Sequence, residues 1–128
     1  MKSDLPYSER IFIRLLEGNI PDRISGMAPE AYTKLLIEAI RFHEEHMHEA
    51  DQNISFCHEM LEWYNSLIDE ELSQGGEFWD DYRMYVDQMP GEIALYKEKY
   101  LAARMMKESC ECELMRLLET YPGLIDKV

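Results

Sequence analysis

The stretch "RFHEEHMHEADQN", residues 41–53, sets three histidines and four acids within thirteen positions. These are the side chains that hold transition metals and relay protons. On a helix, residues three, four or seven apart share a face, whereas neighbours diverge by about 100°. His43 and His46 are so spaced, and so are Glu45 and His48. The remaining candidates are the thiols Cys57, Cys110 and Cys112 and the acid pairs Glu59 with Glu62 and Glu77 with Asp80. What each group can do depends on the elements that position it.

Those elements are predicted to be helices. Neither glycine nor proline interrupts the chain from Glu30 to Gln74, and Pro29 suits a first helical turn, where its missing N–H costs nothing. Thr33, Ile40, Met47, Ile54, Leu61 and Ile68 recur every seven residues, with Leu36, His43, Ala50, Cys57 and Tyr64 three positions after the first five. A second seam runs through Ile93, Tyr96, Tyr100, Ala103, Lys107, Cys110, Leu114, Leu117 and Tyr121. The expected fold is all-α: a long antiparallel, coiled-coil-like helical hairpin with an N-terminal helix, forming one domain. Its elements are a helix near 6–17 carrying Ile11, Phe12, Leu15 and Leu16, a linker 18–28, a long helix 29–72, a turn 73–76, and helices 77–89 and 92–121 separated at Pro90. Folding about the turn brings together residues whose numbers add to about 150, so Ala50 meets Tyr100, Met47 meets Ala103, Ile40 meets Cys110, Leu36 meets Leu114, and the polar pair His43 and Lys107 face each other.

On these helices most of the candidate chemistry disperses. His43 alone lies on the seam, His46 borders it, and Glu45 and His48 fall on the outer face. Glu45 and His48 form the ExxH pair that resembles the ligands of ferritin-like di-iron bundles. Such bundles need a second pair, yet no histidine follows His58 and the residue three before it is Ser55. No metal and no cofactor is therefore expected. Cys110 and Cys112 diverge by about 200° on a helix, which leaves Cys110 in the seam and Cys112 exposed. No histidine is expected beside either as an activating base, so no catalytic residue is assigned.

Glu59 and Glu62 in "EMLE", with Glu77 and Asp80 in "EFWD", resemble the magnesium-binding signature of the all-α MazG-type nucleotide pyrophosphohydrolases. That resemblance implies Mg2+-dependent hydrolysis of a nucleotide triphosphate, with carboxylates of two helices on the metal. A further glutamate of the family's pattern falls on His58 here.

The charge distribution is more lopsided than any motif. The net charge is -13, and no lysine or arginine occurs from Phe42 through Tyr82, a stretch that holds twelve acids. This argues against direct binding of nucleic acid and for a partner protein with a basic surface. Glu62, Asp69, Glu70, Glu71, Glu77, Trp79, Asp80 and Asp81 are the expected contact residues, and Trp63, Tyr64, Phe78, Trp79, Tyr82 and Tyr85 of the same half are candidate anchors. An odd count of three cysteines, no apolar leader and no membrane-length apolar run point to the cytoplasm. The seam also permits a homodimer that exchanges its arms. The expected function is a non-enzymatic protein-binding module, such as an adaptor, chaperone or assembly subunit. An acidic inhibitor of a nucleic-acid-binding protein is the second expectation, and the MazG-like hydrolase the third.

Overall fold

A computed structural model of the chain describes residues 4–74 and 79–127, with the side chains of 72–74 and 79 outside that description. Every regular element among the described residues is helical: α1 is Tyr7–Leu16, α2 is Pro29–Gln74, α3 is Trp79–Thr120, and a 3-10 helix spans Leu124–Lys127. The helices α2 and α3 pack against each other as a hairpin. Of the expected turn 73–76, Ser73 and Gln74 are helical, while Gly75 and Gly76 lie outside the described residues.

One boundary is corrected. The helices expected at 77–89 and 92–121 are a single element, because α3 continues through Pro90. Proline removes one ladder hydrogen bond, the one its N–H would give to the Val86 carbonyl, and its ring crowds that carbonyl. Pro90 and Gly91 are both exposed, so water can take the place of the lost donor. Glu92, Ala94 and Leu95, good helix formers, follow Gly91 and favour continuation of the helix.

The chain divides into two compact units, one formed by the chain up to Met47 and from Ala102 onward, the other by His48–Leu101. The first has a core of Ile11, Leu15, Tyr32, Leu36, Ala39, Cys110, Leu117 and Leu124. Here α1 lays Ile11 and Leu15, one turn apart, against the hairpin. It ends in a Schellman motif: Asn19 N–H donates to the Arg14 carbonyl at 2.8 Å and Gly18 N–H to the Leu15 carbonyl at 3.1 Å. Gly18 sits at φ +80°, the left-handed conformation that this motif requires. At the other end of the unit, Gly123 at φ +89° turns the chain so that Leu124 returns to the core.

In the second unit the seam is carried by small and branched side chains. Ala50, Cys57, Ile68 and Ile93 are buried, and Tyr64 stacks on Tyr85 with ring centroids 5.0 Å apart and planes within 14°. Tyr64 with Tyr85 here, and Tyr32 with Glu113 in the first unit, meet in the register whose partner numbers add to about 150. Every described seam position of α2 from Thr33 to Ile68 is buried or half-buried, whereas Tyr121, expected to close the second seam, is exposed.

Two substitutions test this account. Gly18→Ala should lower the free energy of unfolding by about 1–3 kcal/mol, because a side chain is strained at positive φ and its Cβ would lie 2.5 Å from Met106 Cγ. Pro90→Ala should raise it by about 1 kcal/mol or more by restoring the Val86 hydrogen bond. Urea denaturation followed by circular dichroism measures both, and a stability loss on removing Pro90 would show that the proline is needed where it stands.

Candidate protein-binding surface

The titratable groups of the first unit come first, since a buried acid, histidine and thiol are the usual parts of a catalytic site. Glu113 is buried, and both its carboxylate oxygens are committed: Tyr32 Oη–H donates to Oε2 at 2.8 Å, and Arg116 Nε–H donates to Oε1. Burial, followed by the hydrogen bond to Glu113 and its negative charge, holds the Tyr32 phenol well above its ordinary range. The Glu113 carboxylate likewise raises Arg116. A network with every partner supplied fixes packing, and its Glu113 and Arg116 also line a recess of about 570 Å3 beside Cys112.

His43, 1% exposed, lies 3.1 Å through Nε2 from the Leu15 carbonyl. A carbonyl only accepts, so Nε2 carries the proton. The sequence register sets His43 opposite Lys107; its hydrogen bond goes to α1, whose docking supplies an acceptor that a two-helix register does not contain. Cys110 Sγ–H points at the same carbonyl from 3.8 Å. A histidine and a thiol thus approach one atom, a proximity that sequence spacing did not indicate. The pair is inert, because Cys110 is fully buried and burial, with Glu111 and Glu113 nearby, pushes its thiol up to about 11. An activated cysteine needs the opposite shift. Burial also raises the Cys57 thiol, with Glu92 adding to it, and Cys112 is exposed.

The other histidines, His46, His48 and His58, are exposed. No group of three or more His, Cys, Asp or Glu side chains that could hold a metal ion occurs among the described residues. Of the pyrophosphohydrolase-like pattern, Glu59, Glu62 and Asp80 are exposed and Glu77 lies outside the described residues.

The second unit offers mainly an exposed charged surface. His48–Leu101 contains thirteen acids against three bases, a net -10 of the chain's -13. Of the sequence-predicted contact residues, Glu62, Asp69, Glu70, Asp80 and Asp81 are exposed and Glu71 is half-buried. Glu77 and the side chain of Trp79 lie outside the described residues. Asp80 and Asp81 occupy the first turn of α3, where the helix dipole favours them. The last turn of α2 carries no base at the end where the dipole favours one. Trp63 is 53% exposed and Phe56 is 59% exposed. The Trp63 ring leans on Tyr64 at 5.1 Å, and Tyr64 is itself stacked on Tyr85, so this exposed indole is held from beneath.

Phe56 was missed by the sequence reading, which sought anchors nearer the turn. The signal was present: Phe56 and Trp63 both stand two positions after a seam residue, Ile54 and Leu61, which places them outward and seven residues apart. Glu113 carried a similar signal, since it stands between Cys110 and Leu117 at helical spacing on a buried stripe.

Comparison of the chain with protein-family models, with curated proteins and with solved structures finds no match. No helix among the described residues is long and apolar enough to cross a membrane.

Two measurements follow from the buried groups. A native chain should expose one fast-reacting thiol to an aromatic disulfide reagent, Cys112, and all three only after unfolding. Cys110 and Tyr32 are raised in the folded state, so their contributions are complete below the unfolded values, 9.0 and 10.0, and are lost as pH rises. The urea midpoint should therefore fall from pH 9 upward, and Cys110→Ala should flatten the part of that fall between 9 and about 11.

Proposed function

We propose that the chain is a non-enzymatic protein-interaction module, an adaptor, chaperone or assembly subunit, that docks the acidic half of its hairpin on a basic surface of another protein. The observation that carries this reading is charge segregation. An exposed helical surface ordinarily intersperses lysine among its acids, because opposite charges three or four apart support the helix by about 0.2–0.5 kcal/mol per pair. Here the unit His48–Leu101 holds -10, with no base before Arg83. Crowding like charges costs self-repulsion, which a cationic partner relieves. The base-free last turn of α2 adds to the same demand. The exposed Trp63 supplies apolar area of the kind that anchors interfaces.

The test begins with affinity capture from the native host and mass-spectrometric identification. The captured protein should then associate fast at low salt and more slowly as the Debye length contracts from about 30 Å at 0.01 M to about 10 Å at 0.1 M. Reversing Glu70, Glu71, Asp80 and Asp81 to lysine should cut the association rate by about tenfold or more with helicity unchanged. Reversing Asp22, Glu38, Glu111 and Glu119, all exposed in the first unit, should have far less effect. Equal binding by the lysine variant and the parent would reduce the charge cluster to a solubility feature.

A further inference from the structure

The outer face of α2 in the second unit has more structure than its charge alone. A recess of about 270 Å3 opens there, lined by His48, Asp51, Gln52, Ser55, Phe56 and Glu59. Two rings line it, the His48 imidazole and the Phe56 phenyl, the latter 59% exposed. Carboxylates bracket that ring along the helix, Asp51 five residues before it and Glu59 three residues after. Neither carboxylate has an ion-pair partner in the chain among the described residues, and the nearest bases in sequence are Arg41 and Arg83. Trp63 follows on the same face seven residues beyond Phe56, a rise of about 10.5 Å.

We propose that this face receives an arginine-bearing amphipathic helix of the partner protein, with one guanidinium stacked on Phe56 and a large apolar side chain seated on Trp63. The inference rests on the proposed binding of a basic partner and names the chemistry of its contact. An aromatic face flanked by carboxylates suits guanidinium better than ammonium. Guanidinium is planar, less strongly hydrated, and able to stack while its N–H groups donate to a carboxylate at its edge. Glu59, one turn from Phe56, is placed to accept them, with Asp51 and Gln52 at the other end of the recess. A helix laid along α2 presents residues seven apart to two sites seven apart, which sets the spacing of the partner's arginine and its apolar residue. Trp63 is supported by Tyr64, so little side-chain freedom is lost when it is covered.

The test uses the full chain and a designed alanine-rich helical peptide that carries arginine and leucine seven residues apart. Calorimetric titration compares it with two analogues, one with lysine in place of arginine and one with the pair five residues apart, about 140° apart around the helix axis. The arginine peptide should bind about threefold to tenfold more tightly than the lysine peptide, and the five-residue spacing should weaken binding further. Phe56→Leu keeps apolar bulk but removes the ring face, and should bring the arginine and lysine peptides to equal affinity. Glu59→Gln should narrow the same gap, and Trp63→Ala should weaken both peptides. Circular dichroism checks that each variant keeps its helicity. Equal affinities for arginine and lysine in the parent, or a preference that survives Phe56→Leu, would overturn the assignment of this recess. In that case salt-sensitive binding of both peptides would leave the proposed function standing. Failure of every peptide to bind at low salt would sink both.

Discussion

The carbonyl of Leu15 is the atom on which the first unit turns. It lies at the end of α1, where the last carbonyls of a helix have no partner within it. Gly18 N–H, His43 Nε2–H and Cys110 Sγ–H come to it from three parts of the chain: the linker after α1, α2 and α3. Each donor needs the carbonyl as much as the carbonyl needs them, since an unsatisfied buried donor costs about 1–3 kcal/mol. A single acceptor thereby specifies where α1 ends and which layer of the hairpin it sits on. Leu15 is fully buried in a core that also holds Leu36 and Ala39, where water does not compete for the bond. Apolar packing alone would tolerate a shift of α1 by one turn; this hydrogen-bonded node does not.

A second polar layer lies near it. Tyr32 and Arg116 converge on Glu113 from α2 and from the same face of α3. Burying a carboxylate without partners would cost several kcal/mol, and two donors make its burial tolerable. His43, Cys110, Tyr32 and Glu113 are occupied in holding the fold, whereas His46 and Cys112 of the same unit are exposed.

The second unit is built differently. Its seam includes buried Ala50, Cys57, Ile68 and Ile93 and the stack of Tyr64 on Tyr85, and its described acids are exposed apart from half-buried Glu71. Nothing there requires the charge to be so one-sided for folding, since interspersed lysine would serve the helices better. That excess, together with outward aromatics such as Phe56 and Trp63, is what directs the functional reading to this surface and away from the buried groups.

The sequence by itself determined the helices and their seam, because a seven-residue apolar period and the absence of glycine and proline are local properties that survive without tertiary context. It placed His43 inside, His46 at the border of the seam and His48 outside for the same reason, and the last two are exposed. It also determined the charge segregation, which is simply composition along the chain. The tertiary structure alone decided three things. Whether Pro90 ends a helix depends on whether water can reach the carbonyl it abandons, and Pro90 is exposed. The partner of His43 depends on where α1 docks, and no periodicity within α2 and α3 encodes an acceptor from a third helix. The recess beside Phe56 depends on the directions of six side chains on one helical face, whereas spacing gives only the face.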